Sequence, residues 1–502
     1  QDLFLQQQTN DAEVIIVGAG WAGMAAAHHL HTNGVENIIV VEADSRTGGR
    51  SMSIEFGSES VGKYIFEQGS NWVCGTGNEN KPRGSGVPNV NINPVKALMD
   101  QEKLGVAYIP GATDGNMTNY YKVYDEFGVD TDSTGELRTK ANAALACLSR
   151  QAPKADNKES VRQGLKTCGW NPQTNAEWAM DWALASDESG VLAKNSALQG
   201  FAPDPTYDWW GADDYLVVDQ HPRGFARLID GMVRDSIPEG DERIKLNAKV
   251  SKIEWGKTGA TVSTVDGRSW SANHVISTMS LGVMRHHHEE IFSPSLPSTQ
   301  SENLMDNHQP MANLTHVLIQ FPEVWWDDSI PAWISANAGG KDERGKFTAW
   351  HNLNAEGFIP GSKTLLSFLG EPEASVYGTM TEAEIMPVIM ERLRAQNPNK
   401  NIPDASAAWL KNWGSDPLHY GAYMYTEPGV NWSSKWKKPL KKDRKTIVQF
   451  AGEATCDNLD GYTHGALQSG KEAAAKYLHE FKNGPNPENK DELNLCSFYY
   501  YA

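Results

Sequence analysis

An α/β chain, with a Rossmann-like nucleotide-binding domain and a second α+β domain, is the fold this sequence predicts, on three observations. The first is the stretch VIIVGAGWAG (Val14–Gly23), where a short β-branched run meets three glycines. The second is the return of strand-like patterns near residues 243–277 and 446–450, far along the chain. The third is an ordinary globular composition over 502 residues, 39% hydrophobic and 22% charged, long enough for two or three domains.

Val14–Val17 reads as a buried strand, followed by Gly18-x-Gly20-x-x-Gly23 and an Ala-rich helix from Trp21 to Thr32 closed by Asn33-Gly34. Ile38–Val41 is a second strand and ends on Glu42. In this arrangement one glycine makes the turn, one lets a pyrophosphate reach the backbone, and one lets helix and strand pack closely. The phosphates then meet a helix N-terminus, whose free N–H groups and dipole favour anions. Glu42 stands where an acid grips a ribose hydroxyl. Further along, Arg243–Ile253 and Ala260–Val265 alternate as hairpin strands, with Asp266-Gly267 as a turn and His274–Ser277 beyond. Thr446–Phe450 is a strand, Ala451-Gly452-Glu453 a tight turn, and Gly465–Phe481 a helix with alanines on its packing face. The nucleotide-binding domain is therefore expected from residues 12–95, 222–296 and 444–482. The second domain takes 96–221 and 297–443, with a helix from Glu382 to Gln396, and 1–11 and 483–502 are surface tails.

A formal charge of −18 argues against a nucleic-acid partner and favours a cationic small molecule. Residues 96–221 hold 19 acidic against 11 basic side chains, which suits a cation funnel and equally a solvated surface. No apolar run is long enough to span a membrane. Five cysteines (Cys74, Cys147, Cys168, Cys456, Cys496) without a CxxC suggest neither zinc nor a disulfide framework. One Cys147–Cys168 bridge and free buried thiols both stay open. The start at Gln1 fits a processed secretory protein or a trimmed chain, and sequons stand at Asn116, Asn313 and Asn431, with Asn313 inside an expected strand. His286-His287-His288 reads as a polar loop without ligand spacing. The basic run Lys435–Lys445 reads as a solvated excursion, and the pairs Trp209-Trp210 and Trp325-Trp326 as core or domain-interface residues.

The continuation Glu42-Ala-x-x-Arg46-x-Gly48-Gly49-Arg50 resembles the flavin-containing amine oxidases. So do Gln68–Trp72, Val218–Gln220 with Arg223–Phe225, Thr278–Val283, Phe450–Glu453, Gly461–Ala466 and Ser469-Gly470. The likeness runs nearly the whole chain and is closest to the polyamine oxidases. It implies an FAD-binding Rossmann-like domain with an α+β substrate domain, and FAD contacts at Gly18, Gly20, Gly23, Glu42, Arg50, Asn71, Trp72, Val250, Glu453 and Tyr462. Relatives that bind the flavin covalently use a cysteine near Tyr423. Here that stretch is Tyr420-Gly421-Ala422-Tyr423, so noncovalent FAD is expected.

The same resemblance makes Tyr423 and Tyr462 a facing aromatic pair, sets Trp413 on a substrate tunnel, and makes Glu188 the candidate acid there. Cys74 falls where such enzymes carry an acidic, amide or imidazole group toward substrate; a thiol is a poor ammonium partner. His316 falls where they carry a lysine that holds a water beneath the reactive flavin nitrogen. The resemblance thus implies an FAD-dependent oxidase of amines, polyamines foremost, reducing O2 to H2O2, a monomer or homodimer, while the start at Gln1 and the sequons favour secretion. Two alternatives stay open. One is an L-amino-acid oxidase of the same fold, for which Arg162 or Arg344 would clamp the carboxylate. The other is a flavin-binding protein whose catalysis has decayed, as Cys74 and His316 permit.

Overall fold

The structure, a computed structural model, describes residues 11–77, 92–109, 121–186, 197–198, 205–211, 213–306, 308–430, 435–489 and 494–496. The chain divides into two compact units. The first takes Gln1–Gly49, Ile229–Asn307 and Trp432–Phe498; the second takes Arg50–Leu228, His308–Asn431 and Tyr499–Ala502. Residues 50–95, expected in the nucleotide-binding domain, fall in the second unit. The cause is pairing: strand Trp72–Thr76 lies antiparallel to Asp213–Val217, which in turn pairs with Val106–Ile109.

The first unit is built on one sheet. Ala12–Val17 runs parallel to Ile38–Val41 on one side and to Ser269–Ser277 on the other, with Val14 opposite both Ile38 and His274. Val14, Ile15 and Ile16 are fully buried, as strands covered on both faces must be. Lys445–Phe450 joins parallel to the C-terminal end of Ser269–Ser277, and Gly259–Thr264 pairs antiparallel to its beginning. The helices Trp21–Thr32 and Thr463–Lys482 pack together, burying Ala25, Ala26 and Ala27 on one and Ala473, Ala474 and Ala475 on the other.

Three expectations need correction in this unit. The run 243–253 is not one strand: Ile244–Lys245 pairs with Val40-Val41, Asn247 turns left-handed (φ 52°), and Val250–Gly256 forms the hairpin. His286-His287-His288 is no loop but part of the helix Leu281–Ile291, capped by the Ser280 hydroxyl. His286 and His288 each turn Nδ1 onto the carbonyl four residues back. The tail 483–502 does not stay on the surface throughout, because Leu495 and Cys496 are buried and Cys496 is bridged to Cys456. Leu440–Lys442 pairs with Lys445–Phe450 through a two-residue turn, Asp443 and Arg444, both left-handed. Lysines along such an outer strand discourage edge-to-edge pairing with another chain.

The second unit centres on a six-stranded sheet, in order Ala407–Asn412, Thr315–Gln320, Thr364–Leu369, Ala349–Asn352, Ala332–Ser335 and Tyr121–Tyr124. The helix Glu382–Gln396 has the bounds expected from sequence, opens on a Thr381/Glu384 capping box, and sets Ile385, Ile389 and Leu393 among Val317, Ile319 and Leu365. The alternate residues Leu318, Leu366 and Trp409 face a second core with Phe66, Leu216 and Trp170. Cys147 and Cys168 form the bridge that sequence had left open, and Cys74 is the one free thiol among the described residues. Two bridges, not one, therefore staple the chain. The pairs Trp209-Trp210 and Trp325-Trp326 are core residues, with Trp325 only partly buried. No helix among the described residues is long and apolar enough to cross a membrane.

Candidate active site

In the first unit the predicted cofactor residues gather at the carboxyl ends of neighbouring parallel strands, where ligands of open α/β sheets bind. Gly18 ends the first strand in a left-handed conformation (φ 102°) that L side chains rarely adopt. A side chain on Gly23 would place Cβ 1.8 Å from the Gly18 carbonyl oxygen, so the helix lies against the turn only because that position is bare. The Cα of Gly20 looks onto Gly49, and Gly48 donates to the Ala19 carbonyl at 2.8 Å. Glu42 is buried, and its carboxylate accepts from the Ala19 N–H at 2.6 Å and the Asp44 N–H at 2.8 Å. Burial raises its pKa, and those two hydrogen bonds work the other way. Ala248 donates to the Glu42 carbonyl at 2.7 Å, which brings Val250 to the same end of the sheet. Ala451 donates to the Ser277 carbonyl, and Thr278 Oγ1 to that of Val17, tying the Gly452-Glu453 turn to the Gly18 turn. Glu453 is buried and accepts from Gly461 N–H at 3.0 Å; next to it Tyr462 stacks on His464, ring centroids 4.8 Å apart.

These residues fit a flavin dinucleotide on one further observation. The helices Trp21–Thr32 and Thr463–Lys482 begin at Gly20 and Tyr462 with no side-chain cap. Asn93, Ser160, Ser280 and Thr381 each cap a helix elsewhere, while Gly135 and Pro372 leave theirs without a side-chain cap too; Gly20 differs in following directly on the carboxyl end of Ala12–Val17. A helix's first turn leaves backbone N–H groups without intrahelical partners, and such groups are anion-binding donors.

In the second unit His316 lies in Thr315–Gln320, 2% exposed. The Phe368 ring meets it edge-on at 4.8 Å, burial pushes its pKa down to about 3, and a hydrogen bond to the Glu67 main chain acts against that shift. Its Nδ1 has no protein partner among the described residues, and neither has the buried Nδ2 of Asn71. Such buried polar atoms call for a water or a ligand. Asn71 and Glu67 line a small cavity with Phe66, Leu216, Leu318 and Leu366, Leu318 being two residues from His316 on the same face of the strand.

An aromatic file joins His316 to Trp72 through Phe368 and His351, with centroids at 4.8, 5.4 and 6.1 Å. Arg50 donates to the Ala422 carbonyl at 2.8 Å beside Tyr423, which is partly exposed and whose carbonyl accepts from Ala312. Cys74 sits on Trp72–Thr76, half-buried, its carbonyl accepting from Asn93 Nδ2.

Trp413 departs from expectation. It is 1% exposed and its indole donates to the Gln68 carbonyl at 2.8 Å, which makes it core rather than a tunnel wall. Glu188, Asn116 and Asn431 lie outside the described residues. Asn313 precedes the strand it was expected in, its amide donating to Glu371 and Ser375.

Sequence reasoning missed Lys411, which pairs directly with His316 across the strands and so shares its face. The Lys411 ammonium reaches Asp416 at 2.5 Å and lies 4.9 Å from the centre of the Trp413 ring. Only strand register reveals this neighbour. Arg162, a candidate carboxylate clamp, forms a two-pronged pair with Asp181 (2.5 and 2.6 Å), and Arg344 binds the same buried carboxylate.

Residues 112–478 match the flavin containing amine oxidoreductases, and residues 16–83 match an NAD(P)-binding Rossmann-like domain. The chain belongs to the flavin containing amine oxidoreductase family and is an FAD-dependent oxidoreductase. Polyamine oxidase 1 of Zea mays is 27% identical over 478 residues, covering 92% of this chain and 89% of the relative. Polyamine oxidase 6 of Oryza sativa subsp. japonica is 27% identical over 484 residues, covering 93% and 90%. A solved structure of a redesigned putrescine oxidase shares the fold, with a TM-score of 0.66 at 18% identity, covering 93% of this chain and 99% of that one.

Proposed function

We propose that the chain is a secreted oxidase of amines, polyamines foremost, that holds FAD without a covalent link and turns O2 into H2O2. When bound, the flavin supplies the acceptor for the hydride equivalent that leaves the carbon beside the amine nitrogen, and is reoxidised by dioxygen. On this reading Gly18, Gly20, Gly23 and Glu42 hold the adenosine diphosphate portion, with Val250 against the adenine. Arg50, Asn71, Trp72, Glu453 and Tyr462 hold the remainder. Tyr423 and Tyr462 offer aromatic faces that pack on an aliphatic chain and attract its distal ammonium groups. His316, neutral at every physiological pH because burial depresses its pKa, keeps one water at Nδ1.

The observation that favours amines over amino acids is Asp181. Both arginines open to a carboxylate clamp bind it instead. The two polyamine oxidases support the same choice, each matched over about nine-tenths of its length. Secretion is supported by two disulfides, which persist in oxidising compartments.

A peroxide-release panel of spermine, spermidine, monoamines and L-amino acids tests the reading. Peroxide is expected with the polyamines, and acid denaturation should free all the flavin. A response to amino acids alone would sink the amine assignment. Flavin bleaching by polyamines without peroxide in air would sink the oxidase assignment, and no bleaching by any amine would mark decayed catalysis.

A further inference from the structure

The Cys456–Cys496 bridge takes no part in the site as described, yet it closes on the segment between Glu453 and Tyr462. That segment is compact. Cys456 N–H donates to the Glu453 carbonyl at 3.1 Å, Leu459 N–H to the Cys456 carbonyl at 3.0 Å, and Gly461 N–H to the Glu453 carboxylate at 3.0 Å. Tyr462 follows directly and begins the helix Thr463–Lys482.

Residues 494–496 touch both sides of Tyr462. On the loop side they contribute the bridge to Cys456 and the Leu495 carbonyl, which accepts from Asn458 Nδ2 at 2.8 Å. On the helix side Cys496 N–H donates to the Glu472 carboxylate at 2.8 Å. All of these groups are buried, with Cys456 fully enclosed and Leu495 at 1% exposure. Burial also raises the Glu472 pKa, so this main-chain donor is one of the few groups that satisfy that carboxyl.

We propose that residues 494–496 are a positioning clasp for the Glu453–Tyr462 loop, so that retention of the flavin depends on the Cys456–Cys496 bridge. The proposal rests on Glu453 and Tyr462 serving the flavin. Its physical basis is local: the Glu453 carboxylate accepts from Gly461 N–H, eight positions further along the chain, and loop segments open before the core does unless their middle is tied down. The clasp removes that opening by tying the middle of the loop to buried groups on the following helix. Cys456, Asn458, Leu495 and Cys496 are positioning residues.

The test compares flavin release from purified holoprotein, followed by the fluorescence of the freed flavin, for two variants that each lack one of the two bridges. Cys456→Ser/Cys496→Ser should release flavin roughly tenfold faster than wild type, since lost contacts show mainly in the dissociation rate. Its visible flavin band should shift as well. Cys147→Ser/Cys168→Ser, which removes the bridge of the other unit, should release flavin at the wild-type rate. Equal release from the two variants overturns the clasp.

If the first variant does not fold, Asn458→Ala removes the Leu495 contact and leaves both sulfurs in place. It should release flavin about threefold faster, and wild-type release from it overturns the clasp. Glu453→Gln and Tyr462→Phe report on the underlying assignment separately. Wild-type flavin retention and spectra in both would remove that assignment, whatever the clasp variants do.

Discussion

Inside the sheet of the second unit, position 316 carries an imidazole that burial keeps neutral. Its pKa of about 3 keeps it uncharged, so on the proposed oxidase reading it can hold a water but adds no positive charge beside the flavin. His316→Lys should therefore accelerate reoxidation of the flavin by roughly ten- to a thousandfold, about 1.4 to 4 kcal/mol of barrier. Reduction by amine should change much less. Stopped-flow measurement of both half-reactions checks this, and unchanged reoxidation would remove His316 from oxygen chemistry. The position of His316 was legible because the flanking sequence fixes its register in the strand. Its neighbour Lys411 was not, because cross-strand pairing joins residues 95 positions apart (411 minus 316) and leaves no local mark. Trp413 was misjudged for a related reason. An indole in a sequence carries no sign of whether its N–H will be met by water or, as here, by the Gln68 carbonyl.

The helix Trp21–Thr32 shows how an element reads when function shapes it. Its helical pattern is plain, but its first turn lacks the polar side-chain cap that helix starts prefer. The signal in the sequence was the glycine spacing at its start, Gly18-x-Gly20-x-x-Gly23. The helix Leu281–Ile291 hid for the opposite reason: Ser280 marks its start, and Leu281, Met284, His288 and Ile291 mark its buried side. Three adjacent histidines, one of them buried against the core, masked that spacing. The Gly23 contact belongs to this scale, since it sets how closely helix and strand approach. Gly23→Ala must push the helix away from the Gly18 carbonyl, at a cost of about 1–3 kcal/mol typical of overpacking. The expected product is a folded protein purified with little flavin, measured as the ratio of flavin to protein absorbance. Full flavin occupancy would show that the turn and helix need not touch.

Across the whole molecule, His274, His316, His351 and His464 are enclosed, and burial holds them at about 4, 3, 4 and 3. In the unfolded chain each titrates near 6.5. Below that value the unfolded state binds protons that the folded state refuses, so stability is present above pH 6.5 and lost as pH falls. The loss approaches about 1.4 kcal/mol per pH unit for each histidine. Glu42 and Glu472, whose pKa values burial raises, act in the opposite sense. Melting temperature should thus fall steeply between pH 6.5 and 5. His274→Asn should flatten that slope even though it lowers the midpoint by disturbing the contacts to Thr446 and Gln449. An unchanged slope would mean that His274 is protonated in the fold. At this scale the sequence showed that the nucleotide-binding unit is assembled from separated segments, since each segment carries its own strand or turn signature. It did not show that the unit closes at Gly49 rather than residue 95, because that boundary follows from which strands pair.

The interleaving also orders events in time. Ala12–Val17 is among the first strands to be made, while Lys445–Phe450, which completes the carboxyl edge beside Ser269–Ser277, comes more than 400 residues later. At roughly 5–20 residues per second, a ribosome delivers the Gly452 turn about 20 to 90 s after the Gly18 turn. Throughout that interval the Gly18 turn stands without the Gly452-Glu453 turn that Ser277 and Thr278 tie to it. The two turns that the flavin reading needs together are thus united only near the end of synthesis.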